Sequence, residues 1–149
     1  MRLLACIFLF AVLFSACNKD KFTTEPQITF KSLQPNFSTN NTARGNPPKV
    51  VFEVRDGNGD LDTDTAKIHI KNTFTNKSDS FNFPDLKPIL GKDFRSDVTV
   101  NLFDVLGGRN PNGVPKPFTD TIAFEIFVTD KARNKSNVIV TPQFYYTFE

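Results

Sequence analysis

The chain has 149 residues, with 18 Lys and Arg against 16 Asp and Glu, which gives a formal net charge of +2. This balance, without a long run of like charges, argues against the clustered basic face that nucleic-acid binding requires. Seventeen Phe residues in a polar-looking chain indicate a packed aromatic core and argue against disorder.

The N-terminus has the order of an export signal. Arg2 precedes an apolar run over 3–14, and Ser15 and Ala16 then lead to Cys17. A membrane-spanning helix needs roughly 20 apolar residues, so a permanent transmembrane anchor is the weaker interpretation. The end of this segment resembles a bacterial lipoprotein signal, which implies cleavage before Cys17 and attachment of lipid, such as palmitate, to its sulfur. A plain secretory signal, with Cys17 as a free thiol, is the alternative.

The expected organisation is a signal peptide over 1–16, a lipidated cysteine and polar tether over 17–26, and a single β-sandwich domain over 27–149. Cys6 leaves with the signal, so the mature chain of 133 residues keeps Cys17 alone and forms no internal disulfide. Arg2 is the only charge removed, which leaves 17 basic and 16 acidic residues and a net charge of +1.

Beyond the tether, apolar residues alternate with polar ones at the period of two that is typical of β-strands. This pattern predicts about seven short strands, over 27–33, 49–55, 66–71, 80–83, 97–103, 121–129 and 136–141, and an aromatic segment over 144–148 closes the chain. The clearest strand, 121–129, is expected to point Ile122, Phe124, Ile126 and Val128 inward. The last strand is expected to bury Val138 and Val140.

Strands of this number and length predict an all-β fold, an antiparallel two-sheet sandwich of the immunoglobulin-like or fibronectin-like type. A β-barrel is the alternative. Two long irregular segments, 34–48 and 106–120, are expected to be exposed connections that either bind a ligand or only join strands.

An acidic loop over 56–64 is the segment that carries the most chemistry. Oxygen-bearing side chains occupy every second position, and the glycines at 57 and 59 let the backbone curl so that the oxygens converge. Calcium prefers six to eight oxygen ligands, and the candidate ligands are Asp56, Asn58, Asp60, Asp62 and Asp130. An EF-hand is excluded, because Lys67 stands where Glu would be the twelfth residue and no helices flank the loop.

The sandwich interpretation places this loop and the turn 130–137 at the same end of the domain. Asp130, Asn134 and Asn137 are then expected to complete a calcium cage that Asp56 and the other loop residues begin. The competing interpretation is that Asp-Gly and Asn-Gly are ordinary turn formers and that the acids are only solvated.

Two segments, 52–61 and 126–137, together resemble a group of exported lipoproteins from Bacteroidetes-type bacteria. Members of that group pair an Asp/Gly-rich loop with a late Asp-x-Ala-Gly-Asn-x-Ser turn, and here Arg133 stands where Gly is usual. The resemblance implies an outer-membrane location and an immunoglobulin-like fold, but no activity. Lys19 and Asp20 are similar to the signal that sends such lipoproteins to the cell surface.

Two short motifs, 64–66 and 120–122, resemble the three-residue O-glycosylation pattern of the same bacteria. They nominate Thr65 and Thr121, which the strand pattern places on the outer surface as a glycan requires.

No catalytic constellation is evident in the sequence, so the protein is expected not to be an enzyme. His69 is the only histidine and faces outward with Lys67 and Lys71, and no Gly-rich phosphate loop, nucleophile elbow or His-based zinc signature occurs. The expected function is a lipid-anchored envelope or cell-surface module that binds protein or glycan through its end loops, with calcium as the candidate cofactor. The alternatives are a structural or accessory subunit of an envelope complex without its own ligand and, less favoured, a small carboxylate-dependent glycosidase.

Overall fold

A computed structural model describes residues 24–61, 64–84, 92–109 and 113–149, and the signal and Cys17 lie outside them. These residues form an all-β structure. Its ten strands are β1 (Gln27–Gln34), β2 (Phe37–Thr39), β3 (Lys49–Asp56), β4 (Lys67–Asn72), β5 (Ser78–Asn82), β6 (Phe94–Asn101), β7 (Phe118–Ile122), β8 (Phe124–Thr129), β9 (Ile139–Val140) and β10 (Phe144–Phe148). The described part of the chain thus contains more strands than the seven expected.

The strands form three sheets, in the orders β1-β3-β6, β2-β10-β7 and β5-β4-β8-β9. This arrangement is consistent with a β-sandwich. All described pairings are antiparallel except that of β2 with β10, so the expectation of a purely antiparallel fold is wrong at this one place. Within the described residues, no helix is long and apolar enough to cross a membrane.

The core follows the predicted alternation over most strands. The inward residues of β3 are fully buried, as are those of β4 and β8, and the rings of Phe124 and Phe144 meet edge to face with centroids 6.1 Å apart. Burial of such large apolar side chains is the main favourable contribution to folding.

The predicted strand 121–129 is two strands that belong to different sheets. β7 pairs with β10, whereas β8 pairs with β4, and the change occurs at Ala123. The carbonyl of Ala123 accepts hydrogen bonds from the backbone N–H and the hydroxyl of Thr73 instead of a regular ladder partner. The inward alternation nevertheless continues through the break, because Ile122 and Phe124 are both buried.

The expected inward face of 136–141 is wrong. Val138 and Val140 are 48% and 57% exposed, whereas Ser136 and Thr141 are buried. The two hydroxyls explain why Ser136 and Thr141 are buried, because they accept hydrogen bonds from the N–H groups of Val128 and Phe124 on β8, at 2.9 and 3.0 Å. The hydroxyls therefore replace backbone carbonyls as acceptors for these two N–H groups of β8, while the N–H groups of Ser136 and Thr141 still donate to the carbonyls of Val128 and Phe124. Only two residues of the segment form β9.

Glu53 lies on the face of β3 opposite the core residues Phe52 and Val54, yet only 4% of it is exposed. Three cationic side chains cover its carboxylate: Arg55 Nε lies 2.7 Å away, Arg95 Nη2 2.7 Å and Lys31 Nζ 3.0 Å. Hydrogen bonds from Arg95 and then Arg55 lower the pKa of Glu53 to about 2. The buried charge is thus compensated by ion pairs on the outer face of the first sheet.

Candidate functional site

The acidic loop begins where β3 ends. Asp56 is the last residue of β3 and only 1% of it is exposed. Its Oδ2 accepts a hydrogen bond from the backbone N–H of Asp60 at 2.9 Å, which closes the loop on itself. Gly59 has a φ of +68°, a conformation that side chains disfavour, so glycine permits the tight turn. Leu61, fully buried, then fixes the end of the loop to the core.

The second part of the site is the turn that follows β8. Asp130 is fully buried, and both of its carboxylate oxygens bind Asn134. The backbone N–H of Asn134 donates to Oδ1 at 2.7 Å, and its side-chain Nδ2 donates to Oδ2 at 2.8 Å. Arg133 has a φ of +68°, so an arginine here adopts the left-handed conformation that glycine adopts more readily.

The two loops meet, as the sandwich interpretation expects. The backbone N–H of Lys131 donates a hydrogen bond to the carbonyl of Asp60 at 3.3 Å. Because this bond joins the residue after Asp130 to the acidic loop, it brings carboxylates from distant parts of the sequence into one neighbourhood. The negative charge of Asp130 accordingly contributes to a raised pKa of Asp60.

The electrostatics of this neighbourhood are unfavourable for carboxylates without a cation. Burial, together with the charge of Asp60 and a contact between the two side chains, raises the pKa of Asp56 to about 6, although hydrogen bonds from the N–H groups of Asp60 and Asn58 oppose the rise. Burial is also the largest cause of the raised pKa of Asp60. The Oδ1 atoms of Asp56 and Asp60 are both buried without a hydrogen-bond partner. A buried carboxylate oxygen in this state carries an uncompensated desolvation cost.

The five candidate ligands have different surroundings. Asp56, Asp60 and Asp130 belong to the joined loops, Asn58 is exposed, and Asp62 lies outside the described residues. Across the described ranges, no group of three or more His, Cys, Asp or Glu side chains is arranged to hold a metal ion. The donor chemistry fits a hard cation at Asp56 and Asp60, and further oxygens would have to come from backbone carbonyls, amides or water.

Asn137 does not join this group, which corrects the expectation that it completes the cage. Its Oδ1 accepts a hydrogen bond from the N–H of Ile28 at 2.8 Å, and its Nδ2 donates to the carbonyl of Ile28 at 2.9 Å. Both polar atoms of the amide are therefore engaged with β1. The sequence alone contained no signal for this pairing.

The two glycosylation candidates, Thr65 and Thr121, are exposed. Thr121 lies on β7 opposite Tyr145 of β10. Cys17, the lipidation candidate, precedes the described residues.

Comparison with known proteins finds no match among protein-family models, curated proteins or solved structures.

Proposed function

We propose that this chain is a lipid-anchored, non-catalytic module of the bacterial envelope that binds protein or glycan and whose loop end is stabilised by calcium. The observation that supports the calcium part is the pair of buried Oδ1 atoms on Asp56 and Asp60 that have no partner. A divalent cation between the acidic loop and the turn after β8 would compensate both. It would also clamp two loops that the 3.3 Å hydrogen bond from Lys131 to Asp60 already joins.

Calcium suits the site better than a transition metal. The candidate donors are all oxygens, and hard cations prefer carboxylate, carbonyl and amide oxygen ligands. Calcium also tolerates irregular geometry and accepts ligands from backbone and water, whereas magnesium demands a near-octahedral arrangement. A structural cation of this kind needs no catalytic partner.

Thermal melting of the full chain in calcium and in chelator tests the calcium site. A cation that binds only the folded state and is present at 100 times its Kd adds about 2.7 kcal/mol to the free energy of unfolding. This is enough to raise the Tm by several degrees. We expect this rise for the wild type and for Asp104→Asn, an exposed acid on the turn after β6, but not for Asp56→Asn. Equal melting temperatures of the wild type in calcium and in chelator would refute the calcium site.

We propose further that the anchor is acyl lipid on Cys17. Each buried methylene contributes about 0.8 kcal/mol and a single chain anchors only marginally, so several chains on one cysteine would hold the domain at a membrane. Labelled palmitate should be incorporated covalently into the wild type and not into Cys17→Ala. Label in the variant would contradict the lipidation site, and protease shaving of intact cells would separate a surface orientation from a periplasmic one.

We also propose that the sandwich is of the immunoglobulin-like type. The meeting of the loop after β3 with the turn after β8 supports this, because that fold places such loops at one end. An experimental structure that includes the residues between the described ranges would test the strand order.

The binding role is tested with a glycan array and with crosslinking on whole cells. Saturable binding to a sugar supports a glycan-binding module. One fixed protein neighbour without sugar binding supports the accessory subunit. If neither result is obtained, the binding role is contradicted.

A further inference from the structure

A groove of about 490 Å³ lies on the sheet β5-β4-β8-β9, away from the acidic loop. Ligand sites in proteins typically enclose roughly 300–1,000 Å³, so this groove is large enough for a small ligand or one unit of a larger one. Its lining consists of ring, hydroxyl and charged groups from three neighbouring strands: His69, Ile70, Lys71, Ser78, Asp79, Ser80 and Phe127. None of these residues belongs to the joined loops at the end of the domain.

The rings of His69 and Phe127 form one wall of this groove. They are cross-strand partners on β4 and β8, and they stack with centroids 4.5 Å apart and an interplanar angle of 13°. The Nζ of Lys135 lies 4.0 Å from the centroid of the Phe127 ring. Lys135 and β4 flank opposite sides of β8, because Thr129 pairs with Lys135 on one side and with Lys67 on the other. Phe127 therefore lies between an ammonium and an imidazole.

The imidazole is held in a defined orientation beside the groove. Its Nε2 lies 3.2 Å from the hydroxyl of Thr129, within hydrogen-bonding distance. Stacking on Phe127 restricts rotation of the ring further. A flat ring fixed in this way offers a surface against which the apolar face of a ligand ring can pack at little entropic cost.

The surroundings of His69 are positively charged. Burial lowers the pKa of His69, and the charges of Lys135 and then Lys67 lower it further. The same lysines that disfavour an imidazolium favour an anion at this position. Lys71, two residues along β4 and exposed, adds a third ammonium, and Glu125 lies opposite it on β8.

The hydroxyl groups of β5 complete the recognition surface. Ser80 is the cross-strand partner of His69, and Ser78 is the partner of Lys71, so both serines project to the side of the sheet on which the ring and the lysine lie. Hydroxyls are suitable partners for the hydroxyl groups of a sugar. The groove thus combines a flat ring, hydrogen-bonding groups and a cation.

We propose that this groove binds an acidic sugar, a uronic-acid unit of a glycan, with the sugar ring against His69 and the sugar carboxylate paired with Lys71. The proposal rests on the proposed function as a protein- or glycan-binding module, but it assigns the contact to a sheet face rather than to the end loops. A uronate uses the ring, the serines and Lys71, whereas a neutral sugar leaves Lys71 unused and a simple anion leaves the ring and the serines unused.

His69 is the only histidine of the chain, so its imidazole NMR signal reports on the groove without ambiguity. The probes are a trisaccharide of galacturonic acid, a trisaccharide of galactose and sodium acetate, each added to the full chain in detergent. We expect a saturable shift with the uronate alone, and an upward shift of the imidazole pKa in the complex. An absent response to the uronate, or an equal response to galactose or acetate, would overturn the proposal.

Matched lysine variants test the carboxylate contact. Lys71→Ala should weaken uronate binding at least about tenfold, because it removes a charge-assisted hydrogen bond. Lys77→Ala, in the exposed turn between β4 and β5, should bind as the wild type does. Both side chains are exposed, so both variants are expected to fold, and melting curves verify this. Equal affinities of the two variants would overturn the assignment of Lys71.

The glycan array separates failure of this groove from failure of the proposed function. Sugar binding that survives Lys71→Ala would refute the groove and leave the binding module standing, whereas one fixed protein neighbour without sugar binding would refute the groove and favour the accessory subunit. Absence of both sugar and protein ligands would refute the two together.

Discussion

Asn137 binds the backbone of Ile28 with both polar atoms of its side chain, although 109 positions separate the two residues. The amide takes the place of a neighbouring strand at the edge of β1, because it accepts from the N–H and donates to the carbonyl of one residue. It thereby joins the sheet β1-β3-β6 to the segment that leads into β9. One side chain near the C-terminal end of the described chain thus connects its segment to β1 near the N-terminal end.

Replacement of Asn137 should destabilise the fold. Asn137→Ala removes two partly buried hydrogen bonds and leaves the backbone groups of Ile28 without these partners, which should cost roughly 1–3 kcal/mol. Asn41→Ala is the matched control, because it removes two hydrogen bonds that are both exposed, one to Glu149 and one from Asn40, and should change stability by less than about 0.5 kcal/mol. Urea unfolding measures both, and equal midpoints would contradict the linking role of Asn137.

The ion-pair cluster around Glu53, in which the carboxylate is buried and the three cationic side chains are partly exposed, should make the protein sensitive to acid. The folded-state pKa of about 2 lies below the ordinary value of 4.5, so the unfolded state takes up the proton first as the pH falls. The stability that Glu53 contributes is therefore present above about pH 4.5 and is lost as the pH falls toward 2. Unfolding in urea at several pH values between 2 and 7 measures this slope.

Glu53→Gln removes that dependence and tests its origin. The variant should be less stable at neutral pH by roughly 1–3 kcal/mol, since three cations lose their shared carboxylate. Its stability should also fall less steeply in acid than that of the wild type. A variant with the wild-type acid slope would show that Glu53 is not the group responsible.

Arg133 should be replaceable by glycine with a gain in stability. A left-handed conformation costs a non-glycine residue about 1–2 kcal/mol, and glycine avoids this cost. Glycine loses more backbone entropy on folding, however, which offsets about 0.5–1 kcal/mol of the gain. Arg133→Gly should therefore raise the free energy of unfolding by about 0.5–1 kcal/mol in thermal or urea melts. A less stable variant would mean that the arginine side chain makes a contact that outweighs the backbone cost.

Replacement of Thr141 by valine should destabilise the fold, although valine is usually well tolerated in an extended segment. Thr141→Val keeps the shape but leaves the N–H of Phe124 without its 3.0 Å hydroxyl partner, at a cost of roughly 1–3 kcal/mol. Thr121→Val, on the exposed face of β7, is the matched control and should be nearly neutral. Similar unfolding midpoints for the two variants would show that the hydroxyl contributes little.

Local patterning predicted where most strands lie and which face of each is buried. β4 follows the alternation residue by residue, and β3 does so except at Glu53, because side chains in a strand point to opposite faces with a period of two whatever the strand pairs with. The burial pattern of 136–141 could not be predicted, because Ser136 and Thr141 are buried where their hydroxyls accept hydrogen bonds from N–H groups on β8. The parallel pairing of β2 with β10 likewise depends on a segment more than a hundred residues away.

The sequence by itself determined that the chain is all-β, that its core is rich in phenylalanine and that acidic residues cluster between β3 and β4. These properties follow from composition and from the local period of the backbone. Only the tertiary structure decided that Asp56 is buried with an unpartnered oxygen, that Asn137 binds β1, and that His69, Phe127 and Lys135 stack on one sheet face. Each of these depends on contacts between residues distant in sequence. Such contacts cannot be predicted from local periodicity, because they depend on how distant strands and loops pack against one another.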